Sequence, residues 1–355
     1  MTRTSKLMSA AATLTLVGLG ASPAYAAGTL AGTTITNTAS VNFQVGGISQ
    51  TAQSASNSVV VDRKVNLTLV NVGATTTVSP GQTAAATTWT LTNTSNDTLD
   101  FALAALNQTT GATAQHCGTD AYDVSNIKFY VDTNTNGVYD AGTDTLVTWI
   151  DELAPDTAKT IFVVSDTPLA ATNAQVSGLV LTATAEAGGA AATQGAVLTA
   201  TAGANTAGVD TVFADGAGTS DAANDGKISA KGDYTVSAAV LSLNKYATLI
   251  SDPINGATNP KMIPGAVVEY CIAVANAAGA ATATGLSVAD PLPATVTYSA
   301  STVFLNATVS GSTCSGGTAG SDATNYNAGT TTVSGTLSNV AAGASTGLRF
   351  RVTIN

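Results

Sequence analysis

The sequence predicts an all-β protein, and three observations support this prediction. Apolar and polar residues alternate along many short segments, Gly and Asn separate those segments, and no 3.6-residue apolar period is visible after residue 26. Hydrophobic residues make up 45% of the chain and charged residues only 10%, which argues against a disordered chain. We expect two immunoglobulin-like β-sandwich domains, preceded by a β-hairpin and a signal peptide.

Residues 1–26 have the pattern of a signal peptide. Arg3 and Lys6 precede a short apolar run, and "AYA" ending at Ala26 fits a cleavage site. Cleavage removes two of the twelve Lys and Arg and leaves 22 Asp and Glu, so the formal charge becomes −12. No later stretch approaches about 20 continuous apolar residues. We therefore expect a secreted, cell-surface or periplasmic protein with no membrane span and no nucleic-acid partner.

Residues 27–62 are predicted to form a β-hairpin. In "TTITNTASVNFQV" the apolar residues Ile35, Val41 and Phe43 are separated by polar ones, "GG" at Gly46 and Gly47 predicts a turn, and "NSVVVD" ends the second strand. Because a lone hairpin is marginally stable in water, this one needs a sheet to join.

A weak repeat divides the remaining chain into domains 63–240 and 241–355. One copy contains "NLTLVN", "VSPGQTAAATTWTLTNTSND" and "DELAPDTAKTIFVVS"; the other contains "LSLNKY", "MIPGAVVEYCIAVANAAG" and "SNVAAGASTGLRFRVTIN". The expected matches are Pro80-Gly81 with Pro264-Gly265, Asn93 with Asn276, and Phe162 with Phe350.

The two copies differ after this repeat. The first continues into "AQVSGLVLTATAEAG" and "GAVLTATAG", which predict two further strands, whereas the second has none. Its last strand has alternating residues, with Leu348, Phe350, Val352 and Ile354 inward and Arg349, Arg351 and Thr353 outward. We expect this strand to lack a neighbour, which would expose an apolar groove and a sheet edge.

Three segments, "VSPGQTAAATTWTLTNTSND", "IPGAVVEYCIAVANAAGAATATGLSVADPLPATVTY" and "GTTITNTASVNF", resemble the bacterial cell-surface repeat named domain of unknown function eleven. The resemblance is strongest over residues 241–300 and extends over 63–187. It implies β-sandwiches used in surface architecture, with no activity. In such repeats a strand like "ITNTASVNF" follows one like "GLRFRVTI", so in this chain the end of a repeat comes first.

Three placements of the hairpin remain open. It folds back onto the second domain of its own chain, it inserts into the second domain of another copy, or it extends an edge of the first domain. The second placement is donor-strand complementation, a head-to-tail contact that propagates into a filament.

The segment "DTNTNGVYDAGTD" predicts a calcium loop between the strands "IKFYV" and "LVTWI". The expected ligands are Asp132, Asn134, Asn136, the carbonyl of Val138, Asp140 and Asp144. Thr143 stands where an EF-hand has its bidentate Glu, so Asp144 is the expected substitute. The loop resembles calcium loops of Gram-positive surface B-type repeats, and an Asn-Gly turn with solvated Asp residues is the alternative.

A second acidic stretch contains Asp210, Asp215, Asp221 and Asp225. Its looser spacing predicts either a calcium loop or, with more weight, a flexible acidic loop or linker before the second domain.

Three cysteines predict one disulfide. In an oxidising compartment Cys271 and Cys314 are expected to pair, which leaves Cys117 buried or joined to another molecule. His116, the single histidine, lies in a polar loop with no evident carboxylate partner, and nothing beside it resembles a nucleophile turn. We therefore expect a non-enzymatic protein.

Two functional classes remain. The first is a structural protein of the bacterial surface that associates with itself or with other surface components. The second is a monomeric, calcium-stabilised adhesin or ligand-binding module. A secreted hydrolase would need a site that the sequence does not indicate, and fold alone does not separate these classes.

Overall fold

The structure is a computed structural model that describes residues 28–355, so the predicted signal peptide at 1–26 lies outside the described residues. The described part is almost entirely β, with one short helix, α1 (Asp322–Asn325). None of its helices is long and apolar enough to cross a membrane.

The N-terminal hairpin contains four strands: β1 (Thr34–Val41), β2 (Gln44–Val45), β3 (Ile48–Ser49) and β4 (Gln53–Val60). β1 pairs with β4 along all eight residues, and β2 pairs with β3. The turn lies at Gly46 and Gly47, as predicted, and both have positive φ angles, +58° and +85°. A two-residue turn with both φ angles positive matches the right-handed twist of the paired strands, and Gly adopts it without strain.

The first unit contains twelve strands: β5 (Arg63–Val65), β6 (Leu67–Val72), β7 (Thr76–Val78), β8 (Ala85–Asn93), β9 (Leu99–Asn107), β10 (Ser125–Val131), β11 (Thr145–Val147), β12 (Trp149–Leu153), β13 (Thr157–Asp166), β14 (Val176–Ala187), β15 (Thr211–Phe213) and β16 (Lys227–Val236). One five-stranded sheet has the order β11-β10-β13-β8-β6, and the other has the order β12-β9-β14-β16-β7. Their facing side chains form one core that includes Trp89, Phe101, Leu179 and Tyr234, each fully buried.

The second unit contains ten strands: β17 (Leu241–Ser251), β18 (Val267–Asn276), β19 (Ser287–Pro291), β20 (Val296–Tyr298), β21 (Phe304–Ser310), β22 (Thr313–Ser315), β23 (Thr318–Ala319), β24 (Tyr326–Asn327), β25 (Thr332–Thr336) and β26 (Ser345–Ile354). Its larger sheet has the order β17-β18-β26-β21-β22, with β20 on β26 and β23 on β21. The smaller sheet has three strands, in the order β19-β25-β24. Leu348, Phe350 and Val352 are fully buried in the shared core, as the alternation predicts.

Strand pairing aligns the two units. The equivalent positions are Leu67 and Leu241, Leu69 and Leu243, Leu91 and Val274, Asn93 and Asn276, and Val163 and Phe350. The predicted match of Phe162 with Phe350 is therefore wrong by one residue. Phe162 lies on the opposite face of β13, where its ring is 6.0 Å from that of Tyr139.

Two predicted strands differ from the structure. "GAVLTATAG" forms no strand, because β16 occupies the edge of β14 along most of its length and leaves only its last residues for Ala196 and Leu198 to contact. "LVTWI" is divided at Thr148, since β11 pairs in one sheet and β12 in the other.

The expectation that the last strand lacks a neighbour is also wrong. β26 pairs with β18 on one side and with β20 and β21 on the other. The open position lies in the other sheet of the second unit.

Candidate functional site: an open groove in the second unit

In the first unit, the antiparallel strands β14 and β16 complete the sheet that contains β9. β14 pairs with β9 on one edge and with β16 on the other. Leu179, Leu181 and Ala183 of β14 are fully buried. On β16, a Cβ atom at Gly232 would lie only 2.6 Å from the Trp89 ring, so this strand packs closely beneath β8. As a result, Leu67 and Leu69 of β6 are buried, at 1% and 6% exposure.

β19 of the second unit is the equivalent of β9. The side-chain amide of Asn93 donates a hydrogen bond to the Leu153 carbonyl (2.7 Å), and that of Asn276 donates to the Val340 carbonyl (3.0 Å). From these two anchors, the pairing of β12 with β9 and of β25 with β19 gives the equivalent positions: Phe101 and Leu286, Leu103 and Val288, Ala104 and Ala289, and Ala105 and Asp290.

The free edge of β19 distinguishes the two units. β9 carries β14 on this edge, whereas within residues 28–355 β19 pairs only with β25. The equivalents of β14 and β16 are thus missing from the described part of the second unit. Backbone groups along this edge are left for another strand to pair with.

An apolar groove lies at the same place. Leu241 and Leu243 are 45% and 68% exposed, although their equivalents Leu67 and Leu69 are buried. The groove has a volume of about 330 Å³ and is lined by Leu241, Ser242, Leu243, Val274, Leu286, Ser287, Val288 and Ala289. Its walls are the edge strands β17 and β19, so it opens between the two sheets.

One ion pair crosses the groove. Lys245 Nζ lies 2.8 Å from Asp290 Oδ1 and 2.6 Å from Oδ2, and 4.3 Å from the centre of the Tyr270 ring. Asp290 is 8% exposed, and among the described residues Lys245 is the one side chain that donates to it. The first unit has Asn71 and Ala105 at these two positions. The sequence pattern did not predict this ion pair. The available signal was a polar residue at an inward position of each of the two strands, β17 and β19.

The hairpin exposes an apolar face. Ile35, Ala39 and Val41 of β1 lie opposite Val59, Ala55 and Gln53 of β4, and the other face carries mainly Thr and Ser. Ile35, Val41 and Val59 are 48%, 56% and 58% exposed. Within the described chain β1 and β4 pair only with each other, so the hairpin does not extend an edge of the first unit.

Only the base of the hairpin is attached to the first unit. The Asn96 side chain donates to the carbonyls of Thr29 (3.0 Å) and Asp62 (2.8 Å) and accepts a hydrogen bond from the backbone N–H of Lys64 (2.8 Å). These contacts hold the hairpin at the end of the first unit where β6 begins.

The predicted calcium loop is closed by its own hydrogen bonds. Asp132 accepts from the backbone N–H of Asn136 (3.2 Å) and Gly137 (2.8 Å), and Asp144 accepts from those of Thr133 (3.1 Å) and Asp140 (2.7 Å). Asp132 and Asp144 are buried.

Its remaining side chains converge on Asp140. The amides of Asn134 and Asn136 both donate to Asp140 Oδ2, at 3.0 and 2.6 Å, which lowers the pKa of Asp140 below its ordinary value. Val138 lies at the exposed tip, and its N–H donates to the Asn136 side chain. No group of three or more His, Cys, Asp or Glu arranged to hold a metal is found in the region 28–355, and calcium at this loop stays a prediction.

The second acidic stretch is not a linker between units. It lies between β14 and β16, inside the first unit. Asp215 is buried and accepts from the backbone N–H of Asp225 (3.1 Å) and Gly226 (3.0 Å). Asp210 accepts from Thr206, and Asp221 from Gly218. These carboxylates hold turns together.

The cysteines have separate roles. Cys271 and Cys314 form a disulfide with Cα atoms 5.4 Å apart, and both are buried beside Ala307. Cys117 is an exposed free thiol, so burial, one of its two expected states, is wrong, and a bridge to another molecule stays a prediction.

His116 has a carboxylate partner that the sequence analysis did not find. Its Nδ1 lies 2.7 Å from Asp233 Oδ1, and its backbone N–H donates to Asp233 Oδ2 (2.7 Å). Asp233 is on β16, 117 residues away in the chain, which explains why no local signal indicated it. The pair attaches the 109–119 loop to β16.

Comparison with known proteins identifies no family. No protein-family profile and no curated protein matches the chain. One solved structure, titled "Crystal structure of Putative membrane anchored protein from Corynebacterium diphtheriae", has 10% sequence identity and a TM-score of 0.19, with 91% of this chain and 89% of that chain covered. A similarity at this level carries no argument.

Proposed function

We propose that this protein is an exported structural subunit of the bacterial surface, which assembles head to tail when the hairpin of one copy inserts into the groove of another. The observation that carries the proposal is the difference between the units: the first has β14 and β16 beside β9, and the described second unit has a free edge beside β19. The hairpin β1–β4 supplies two antiparallel strands, which is what the open position needs.

Chain order favours insertion into another copy. β16 completes the first unit and leads within a few residues into β17, the first strand of the next unit. In the same way β4 leads through β5 into β6, the first strand of the first unit. By this order the hairpin belongs to a unit that precedes the first one. The second unit of another copy can take that place, whereas the second unit of the same chain follows the first unit in chain order.

Insertion would satisfy both surfaces at once. The exposed Ile35, Val41 and Val59 would be buried, and the hairpin would cover Leu241 and Leu243 while β1 pairs with the edge of β19. Because donor and acceptor are different surfaces, each contact leaves one donor and one acceptor free. Growth therefore continues into a filament.

Three finer proposals accompany this one. The two units are immunoglobulin-like sandwiches of the predicted kind, the 132–144 loop binds calcium, and the protein is not an enzyme. A monomeric, calcium-stabilised adhesin is the alternative, and it requires the groove to be filled within one chain.

Deletion of residues 28–62 from the mature protein tests the proposal. The intact protein should form filaments visible by negative-stain microscopy, and the deletion variant should remain monomeric or aggregate without order. The deletion variant still has the groove but cannot donate, so adding it to intact protein should shorten the filaments. Filaments of unchanged length at equimolar addition, or regular filaments of the deletion variant alone, would contradict the proposal.

A further inference from the structure

We infer that Asn37 of the hairpin contacts Asp290 of the acceptor copy, and that this polar contact sets the register of the inserted hairpin and its choice of acceptor. The inference rests on the proposed function, because it requires that the hairpin enters the groove. It adds which residues of the donor and the acceptor contact each other. It also explains why the strand pairs β1–β4 and β14–β16 each occupy their own position and not the other's.

We take the register from the match of Thr38 and Ala39 in β1 with Thr182 and Ala183 in β14, which places a polar residue of the hairpin opposite Asp290. "NTASV" at 37–41 aligns with "LTATA" at 181–185, so Thr38 and Ala39 stand where the first unit has Thr182 and Ala183. The side-chain directions of the two strands agree as well, since Ala183 is buried and Ala39 lies on the apolar face of the hairpin. At one inward position the residue changes from apolar to polar, because Asn37 of the hairpin stands where the first unit has Leu181.

The acceptor changes at the opposite position. In the first unit Leu181 pairs with Ala105 of β9, and the equivalent of Ala105 is Asp290. An apolar pair in the first unit thus becomes an Asn37–Asp290 pair in the proposed contact. The replacements are complementary, because the amide of Asn donates hydrogen bonds and a carboxylate accepts them.

Asp290 can accept such a donor in addition to Lys245. Lys245 Nζ lies 2.8 Å from its Oδ1 and 2.6 Å from its Oδ2, and within residues 28–355 no second side chain donates to it, so lone-pair positions of the carboxylate remain open. Asn37 lies directly opposite Asn57 on the hairpin, so two amides stand together between apolar pairs of the face that would enter the groove. Burying them against an apolar wall would leave amide groups unpaired, which is unfavourable.

The same chemistry separates the two acceptors. Asn37 opposite Ala105 in the first unit would lack an acceptor, and Leu181 opposite Asp290 would bury the carboxylate with Lys245 as its one side-chain donor among residues 28–355. Each strand pair is therefore less favourable in the other's position, which is a means of discrimination between partners.

Disulfide trapping in the full-length mature protein tests the register. In a Cys117→Ser background, the pair Thr38→Cys and Ala289→Cys should form a ladder of covalent oligomers on mild oxidation. The reason is that their equivalents Thr182 and Ala104 are directly opposite each other. The control pair Thr36→Cys and Ser287→Cys is four residues out of this register and should not form a ladder. A ladder from the control pair but not from the test pair would overturn the inference.

Paired substitutions test the role of the contact. Asn37→Leu and Asp290→Ala should each raise the critical concentration for assembly about tenfold or more, as an unpaired buried polar group predicts. The double variant recreates the Leu181–Ala105 pair and should recover most of the loss. Lys245 keeps solvent contact, since its side chain is 41% exposed.

The outcomes separate the two proposals. If the unsubstituted protein assembles and both single variants assemble equally well, the Asn37–Asp290 contact is wrong while hairpin insertion stands. If the unsubstituted protein forms neither filaments nor trapped oligomers, hairpin insertion itself is wrong.

Discussion

At the scale of single residues, two equivalent asparagines organise the two units. Asn93 is fully buried, donates to the carbonyls of Asp97 (2.9 Å) and Leu153 (2.7 Å), and accepts from the N–H of Ser95 (2.9 Å). Asn276 donates to the carbonyls of Ala281 (2.8 Å) and Val340 (3.0 Å). Each of these side chains links the end of a strand in one sheet to a segment that leads into the other sheet.

Asn93→Ala should therefore destabilise the first unit by roughly 1–3 kcal/mol, because buried carbonyl and N–H groups lose their partners. Urea unfolding of the full chain measures this change. The matched control is Asn205→Ala, at an exposed asparagine, which should change the free energy of unfolding by less than about 0.5 kcal/mol. Equal effects of the two substitutions would contradict the assigned role.

The calcium loop gives a second prediction at this scale. In millimolar calcium, addition of chelator should lower the melting temperature of the mature protein, since a ligand bound to the folded state stabilises it by mass action. Asp132→Ala should remove this difference, and Asp123→Ala, at an exposed aspartate outside the loop, should keep it. A melt that is insensitive to chelator in the unsubstituted protein would exclude calcium from the loop.

Residue identities alone indicated some of these features. The two asparagines stand out because each ends a strand of the repeat, and the loop 132–144 because its oxygens recur at alternate positions. The Lys245–Asp290 and His116–Asp233 pairs were missed. Their members are 45 and 117 residues apart, so only tertiary structure brings them together.

At the scale of elements, the two faces of the hairpin make opposite predictions. Ile35→Ser together with Val59→Ser removes apolar area from the face that would enter the groove, and assembly should weaken at least a hundredfold. The matched pair Thr36→Ala and Ser58→Ala alters the other face, where the two hydroxyls are 2.8 Å apart, and should change assembly less than threefold. The critical concentration from sedimentation measures both, and an equal loss for both pairs would contradict the assignment of faces.

The hairpin and its Gly-Gly turn could be predicted because a two-residue turn and period-two alternation are local signals. β16 could not be predicted with the same ease. It follows a connection of 39 residues after β14, and its inward side includes Gly232 and Ala230 rather than a run of large apolar residues. Its alternation through Ile228, Tyr234 and Val236 was the available signal.

At the scale of the whole molecule, the acidic side chains predict how stability depends on pH. The pKa values of Asp140, Asp166, Asp252 and Asp322 are lowered by hydrogen bonds, that of Asp252 to about 2, chiefly through the backbone N–H of Asn255. A pKa lower in the folded than in the unfolded state gives stability that is present above the ordinary value and is lost as pH falls through the folded value. Burial raises the pKa of Asp120, which acts in the opposite direction.

The free energy of unfolding should therefore decrease as pH falls from about 4 to about 2, with four groups outweighing one. Urea unfolding at a series of pH values measures it. Asp252→Asn should flatten the acid part of the profile, whereas Asp156→Asn, at an exposed aspartate whose carboxylate makes no hydrogen bond within residues 28–355, should leave it unchanged. A profile that is flat or that rises toward pH 2 would contradict the assignment.

The prediction of an incomplete second unit was made from the sequence, but the missing strands were assigned to the wrong sheet. The repeat ends with "GLRFRVTIN", and the sequence pattern predicts that this last strand lacks a neighbour. In the structure β20 and β21 take that edge, and the free edge belongs to β19, 50 to 60 residues earlier. Adjacency in a sheet is not adjacency in sequence, and only the comparison of the two units locates the opening.

A cryo-electron microscopy reconstruction of the assembled mature protein would show the contact between copies. β1 and β4 of each copy should lie beside β19 of its neighbour, with Leu241 and Leu243 covered. A reconstruction in which the hairpin occupies the groove of its own chain, or in which neighbours touch while the groove stays open, would contradict this arrangement.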